Sequence, residues 1–142
     1  MLIAVDFDGT IVEHKYPQIG KEIPFAIVTL KKLQDDGHRL ILWSCREGRL
    51  LQEAVEWCRQ RGLEFFAVNS NYPDEDVDEG AVRSRKLKAD MFIDDRNVGG
   101  LPDWGVLYEM ISRGMSYDRY LREASNIAIN QPKRSLWEKI FG

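Results

Sequence analysis

The sequence predicts one three-layer α/β/α domain built on a mainly parallel sheet. Four short apolar runs, each typical of a buried strand, alternate with stretches whose apolar residues recur at helical spacing. This alternation is typical of parallel strands joined by crossover helices. The 142 residues suit a single domain with a sizeable core, and we find no internal repeat or linker.

Each element follows from its own signals. The first strand is the apolar run before Asp6, and glycines at 37 and 62 are typical helix ends because glycine accepts the left-handed conformation. A core of about residues 1–113 carries the motifs, and C-terminal helices and a tail fill about 114–142. The apolar spacing of this tail suits packing on the body or against a second subunit in a homo-oligomer. We expect strands at 2–5, 39–43, 63–68 and 91–93, and helices at 24–36, 48–61, around 108–111 and around 117–124.

Composition and charge narrow the range of functions that the sequence suggests. The chain is 44% hydrophobic and 30% charged with a net charge of −3, which is ordinary for a globular protein and does not favour broad binding to nucleic acid or anionic membrane. No apolar run approaches a membrane span and no basic region precedes the first apolar run, so we expect a cytoplasmic protein. Cys45 and Cys58 lack metal-site spacing, and we expect reduced residues in or near the core.

Polar side chains end each predicted strand. Because parallel strands share a direction, their carboxyl ends meet at one sheet edge, where ligands bind in open α/β sheets. Carboxylates held close together repel each other and stay ionised only if a cation or strong donors offset the repulsion. The sequence therefore predicts a polar site, completed by a cation or by strong donors, that is made of Asp6 and Asp8, Ser44, Asn69, and Asp94 and Asp95.

Four motifs carry a family resemblance. DFDGT (6–10) resembles the first motif of the haloacid dehalogenase-like superfamily of phosphotransferases, DxDx[TV] after a first strand, and LILWS (40–44) resembles its second. A lysine ahead of the last active-site strand and the acidic pair of FIDD (92–95) resemble the third and fourth. The resemblance implies a Rossmann-like fold. The gaps between motifs are too short for a separate cap domain, so the site is expected to be open.

The resemblance also implies roles for the acidic residues. Asp6 would be the nucleophile that forms an aspartyl-phosphate. Asp8 would be the general acid and then the general base. Mg²⁺ would be held by Asp6, by the main-chain carbonyl of Asp8 and by Asp94, with Asp95 as a further ligand or an outer-shell group.

Further residues would contact the substrate. Thr10, Ser44 and Arg46 are expected there, with Ser44 and backbone N–H groups near Asp8 donating to phosphoryl oxygens. Ser44 also begins an S-x-x-E helix capping box, and Arg46 could instead be a solvated surface residue. A lysine, Lys86 or Lys88, would offset negative charge, and the spacing before the Ala-Asp pair favours Lys86. The loop at 13–22 has the length of a flap over a site, or it is plain solvated surface.

These observations lead to a Mg²⁺-dependent phosphomonoester hydrolase as the expected function. An open site suits a phosphorylated macromolecule or closure by another subunit, and small phosphate esters are also possible substrates. One alternative is a non-enzymatic phosphoryl-accepting regulatory domain, although such domains place the acidic pair first and the acceptor in the middle. Another is a phosphatase for phosphorylated nucleic-acid ends gripped by Arg83, Arg85 and Lys88, which the acidic balance does not favour.

Overall fold

The computed structural model describes residues 1–73 and 87–130, and within that part of the chain the fold is mixed α/β. All strand pairs are parallel, in the spatial order 3-2-1-4, which agrees with the predicted three-layer α/β/α Rossmann-like class. The strands are β1 (Leu2–Val5), β2 (Arg39–Leu42), β3 (Ala67–Val68) and β4 (Met91–Ile93), and the helices are α1 (Ala26–Asp35), α2 (Gly48–Gln60), α3 (Trp104–Ser112) and α4 (Tyr117–Asn130).

The two central strands form the core of the sheet. β1 lies between β2 and β4, and the last three residues of both β1 and β2 are buried. A strand covered on both faces has no reason to alternate apolar and polar residues, and the continuous runs LIAV and LIL fit that position. The continuous apolar pattern therefore marks the strands that carry the predicted site at their ends.

Strand register brings the strand ends to one edge. Val5 at the end of β1 pairs with Leu42 on one side and with Ile93 on the other, and Leu42 pairs with Val68. The four strands therefore stop level with one another, and the chain segments that follow them emerge at the same edge. The predicted convergence of polar strand ends is confirmed.

Several element bounds differ from the prediction for local reasons. β3 is shorter than 63–68 because the N–H of Leu63 donates to the carbonyl of Cys58, which closes α2 instead of joining the sheet. α1 begins two residues later than expected because Phe25 has a left-handed backbone with φ of 68°. α4 runs to Asn130, well past the expected 124.

The chain divides into two compact units, Met1–Gly105 and Val106–Gly142. The sheet, α1 and α2 lie in the first unit, with the described site residues. Within the second unit, Arg113, which follows α3, and Arg119 on α4 both form exposed ion pairs with Glu123 on α4. The tail proposed for packing, with its apolar residues at 136, 137, 140 and 141, lies outside the described residues.

Two further expectations can be compared with the structure. In the part of the chain that is described, every helix is too short or too polar to cross a lipid bilayer. Both cysteines are free thiols, and Cys58 is buried, which raises the pKa of its thiol to about 12. Cys45 is exposed, so the expectation of a core or near-core position was wrong for it.

Candidate active site

Three carboxylates meet at the edge where β1 and β4 end. Asp6, Asp94 and Asp95 each offer one oxygen, and these oxygens lie within 4.8 Å of one another. The pairing of β1 with β4 is responsible: it continues past the strands, since the Asp6 N–H donates to the carbonyl of Ile93 at 2.9 Å. All three residues are half-buried, so their charges are partly removed from water.

The electrostatics of this acidic cluster (Asp6, Asp94 and Asp95) favour a cation. Burial, then the negative charge of Asp94 and then a hydrogen bond with Asp95 raise the pKa of Asp6 to about 7, while donors from Thr10 and Phe7 oppose the shift. A divalent cation would relieve both the desolvation and the repulsion. Carboxylate oxygens are the donors that Mg²⁺ and Ca²⁺ prefer, so the donor set fits a hard cation.

Gly9 allows the cluster to close. Its φ of +85° is left-handed, and a Cβ built there would lie 2.2 Å from Oδ2 of Asp95. Any side chain at this position would therefore collide with the carboxylate as well as strain the backbone. The glycine of the DFDGT motif is explained by the close approach of Asp95.

Thr10 holds two members of the cluster together. Its hydroxyl lies 3.1 Å from Oδ2 of Asp6 and 3.5 Å from Oδ1 of Asp95, and it accepts from the Asp95 N–H at 3.1 Å. The residue has no exposed surface, and the carbonyl of Thr10 accepts from Trp104 Nε1. In this arrangement the buried Thr10 side chain orients Asp6 and Asp95, and its contact with a substrate stays a prediction.

Asp8 faces a different partner from Asp6. Both of its carboxylate oxygens accept hydrogen bonds from Arg46, at 2.7 Å from Nε and at 2.7 Å from Nη2. The carboxylate hydrogen bonds raise the pKa of the Arg46 guanidinium above its usual value. With its side chain bonded to Arg46, Asp8 is outside the acidic cluster, so its predicted part in metal binding would fall to its main-chain carbonyl.

Arg46 is enclosed by protein. It is 1% exposed, and its guanidinium also donates to the carbonyls of Pro17 and Gln18 at 3.1 and 2.9 Å. The guanidinium lies 5.3 Å from the ring centres of both Phe7 and Tyr16. Arg46 is therefore not a solvated surface residue. Its donors serve Asp8 and the loop, and its contact with a substrate phosphate stays a prediction.

Asn69 fixes the backbone of Ser44. Its side-chain oxygen accepts from the Ser44 N–H at 2.8 Å, and its amide nitrogen donates to the Ser44 carbonyl at 3.0 Å. Asn69 has φ of 52°, a conformation that asparagine tolerates better than most residues. The sequence marked Asn69 as a strand end but did not predict this contact, because its partner is 25 residues away.

The capping-box interpretation of Ser44 was wrong. α2 begins at Gly48 with Glu47 as its N-cap residue, without a side-chain capping hydrogen bond. Ser44 Oγ instead accepts from the N–H of Arg46 at 3.1 Å. A hydroxyl that accepts this bond keeps its own proton to donate, so a donor role toward a phosphoryl oxygen stays a prediction.

The choice of lysine stays a prediction as well. Lys88 is exposed, and its backbone N–H donates to Asn71 Oδ1 at 2.9 Å. Lys86 lies outside the described residues, as do Arg83, Arg85 and the acidic run at 74–79.

The loop at 13–22 is tied at its base. The Glu13 N–H donates to the carbonyl of Lys21, and the Ile23 N–H donates to the carbonyl of Ile11. His14 is exposed, and Tyr16 is 51% exposed beside the Arg46 guanidinium. The loop therefore joins the site through Arg46, a connection that sequence reasoning did not find.

Comparison with known proteins adds one relative. No family model matches the chain. No curated protein matches it. A solved structure, described as the conserved protein coded by locus from Bacteroides thetaiotaomicron, is 67% identical with a TM-score of 0.76; the match covers 83% of this chain and 94% of that one. At this identity and coverage, the chain belongs to the same protein family as that conserved protein from Bacteroides thetaiotaomicron.

Proposed function

We propose that the chain is a Mg²⁺-dependent phosphomonoester hydrolase of the haloacid dehalogenase-like superfamily, acting in the cytoplasm. The observation that carries the proposal is the acidic cluster at the carboxyl edge of the sheet, with Asp8 held next to it by Arg46. The DFDGT, LILWS and FIDD motifs fall at three strand ends of that edge, in agreement with the resemblance.

In the proposed reaction Asp6 attacks first. One Asp6 oxygen forms a bond to the substrate phosphorus as the bond from phosphorus to the ester oxygen breaks. The departing ester oxygen takes a proton from Asp8. In the second half, Asp8 takes a proton from water, and the water oxygen displaces Asp6 from phosphorus. Inorganic phosphate leaves, and both carboxyl groups return to their starting states.

Other residues at this edge of the sheet would bind the metal ion and the phosphate group. Asp6, Asp94 and Asp95 would hold Mg²⁺, with the Asp8 carbonyl as a further ligand, and the bound ion would offset the charge of the carboxylates and the phosphate. Ser44, held by Asn69, would donate to a phosphoryl oxygen, and Lys86 would supply positive charge. The motif spacing leaves no room for a cap domain, so bulky phosphate esters suit the site.

Phosphate release from an aryl phosphate tests the proposal. We expect turnover by the unmodified protein with Mg²⁺, loss of turnover with a chelator, and a fall of at least about 10³-fold in kcat for Asp6→Asn, because the amide is a poor nucleophile. Asp35→Asn is the matched control, since Asp35 is an exposed residue on α1. Equal turnover in Asp6→Asn and the unmodified protein would contradict the proposal.

The number of phosphate molecules released per protein molecule distinguishes the proposed enzyme from a phosphoryl-accepting regulatory domain. An enzyme releases phosphate in many turnovers per molecule. A domain of the regulatory kind would instead accumulate a long-lived acyl phosphate on Asp6 without releasing phosphate.

A further inference from the structure

Arg46 carries a buried charge that serves two parts of the first unit at once. A buried guanidinium is costly unless its donors are paired, and here two bonds go to the Asp8 carboxylate and two to the carbonyls of Pro17 and Gln18. Nη2 contributes to both sets, since it donates to Asp8 Oδ1 and to the Gln18 carbonyl.

The planar fork of this guanidinium restricts the orientation of Asp8. Two parallel N–H to oxygen bonds of 2.7 Å fix both the position and the plane of a carboxylate, which a single point charge cannot do. The rings of Phe7 and Tyr16 lie at equal distances of 5.3 Å from the guanidinium carbon and limit its movement.

The same guanidinium fastens the loop. Pro17 and Gln18 lie in the middle of the stretch at 13–22, between the two residues that close its base, where the Glu13 N–H donates to the Lys21 carbonyl. A loop bound at both its base and its middle is held over the residues that it contacts. Release of either carbonyl would remove a partner from Arg46 and so alter the support of Asp8.

We propose that Arg46 is a positioning residue that couples the 13–22 loop to Asp8, so that Asp8 is correctly oriented only while the loop is fastened. The catalytic part of this inference rests on the proposed function, in which Asp8 moves the proton. Arg46 itself touches no substrate. Because each Asp8 oxygen is bonded to Arg46, proton transfer requires Asp8 to exchange one of these bonds, and the bound loop keeps the guanidinium in place for the reverse exchange.

Two readouts on Arg46→Met and Arg46→Lys test the coupling. The first is the rate of trypsin cleavage after Lys15, followed by fragment mass. The second is the separate measurement of kcat and KM for an aryl phosphate with Mg²⁺. Arg49→Met is the matched control, because the Arg49 side chain is 85% exposed on the neighbouring turn.

We expect cleavage after Lys15 to be at least about tenfold faster in Arg46→Met, because the open population of the loop rises. We expect kcat to fall by about 10²-fold with KM changed by no more than about twofold, since the proton-transfer group is misplaced while substrate binding is kept. Arg46→Lys should show smaller changes in the same directions, because an ammonium keeps the charge without the fork. If Arg46→Met does not fold, Arg46→Lys carries both predictions.

Unchanged cleavage after Lys15 in both variants would show that Arg46 does not fasten the loop. Faster cleavage with unchanged kcat would show that the loop and Asp8 are not coupled. If the unmodified protein releases no phosphate, the proposed function fails, whereas the cleavage comparison still decides whether Arg46 holds the loop.

Discussion

Two sets of carboxylates at one sheet edge are stabilised in opposite ways. Asp8 is matched by a buried guanidinium of the protein itself, through two bonds of 2.7 Å. The acidic cluster beside it has no ion pair with any lysine or arginine within residues 1–73 and 87–130, and the pKa of Asp6 rises to about 7. A carboxylate that is paired within the fold is thus held in one orientation, whereas a cluster left with excess negative charge is suited to an added cation.

The largest effect on stability should come from breaking the ion pair between Asp8 and Arg46. We expect Asp8→Ala to lower the free energy of unfolding by about 3–5 kcal/mol, because it leaves the Arg46 guanidinium buried without its carboxylate. Urea denaturation in the presence of a chelator measures this change, with Asp35→Ala as the exposed control. A loss no larger than that of the control would show that the pair is not a buried one in solution.

The second prediction concerns stabilisation of the protein by Mg²⁺ at the acidic cluster. Mg²⁺ at about 100 times its dissociation constant should raise the free energy of unfolding by about 2.7 kcal/mol, because the ion binds the folded state alone. In Asp94→Asn the concentration needed for half of this gain should rise by at least about tenfold. Thermal unfolding against Mg²⁺ concentration measures both, and Asp35→Asn should behave like the unmodified protein. An unchanged requirement in Asp94→Asn would remove Asp94 from the ligand set.

The smallest predicted effect is on pH dependence. The raised pKa of Asp6 means that, between about pH 4 and pH 7, the folded metal-free protein keeps a proton that the unfolded chain has released. The Asp6 contribution is therefore fully present below about pH 4 and is lost as the pH rises through about 7. We expect a loss of about 1–2 kcal/mol, since water screens part of the repulsion at a half-buried group.

The difference in unfolding free energy between the unmodified protein and Asp6→Asn isolates this contribution, because other titrating groups are common to both. Denaturant curves at several pH values, with a chelator present, should show the unmodified protein losing stability relative to the variant as the pH rises. If this difference in unfolding free energy stays constant, or if the unmodified protein gains stability relative to the variant as the pH rises, Asp6 is not held in a repulsive site.

Much of the candidate site could be predicted because it follows from strand direction. Asp6 and Asp94 come directly after apolar runs, and parallel pairing of those runs is enough to bring them together. The role of Arg46 could not be predicted in this way, because its partner Asp8 is 38 residues distant in sequence and no periodicity links a helix-preceding arginine to a loop carbonyl. The burial of Thr10 could not be predicted either, since a motif does not reveal how deeply its residues lie.

The prediction of the cap before α2 and of the start of β3 was limited by competing hydrogen bonds. The capping box before α2 is a valid local pattern, but Asn69 bonds both backbone groups of Ser44 and holds it outside the helix. The short β3 likewise reflects a competition, in which Leu63 completes the end of α2 before the chain reaches the sheet. The start of α2 at residue 48 was predicted correctly, whereas the cap before it and the start of β3 were not.

The contact between Gly9 and Asp95 has a consequence for protein engineering. Asp95 fills the space that a side chain at position 9 would need. Even a lone methyl group there would displace the Asp95 carboxylate and strain the backbone without altering the net charge. Gly9→Ala would therefore disturb the acidic cluster through shape alone, so position 9 is a poor choice for variation in any redesign of this site.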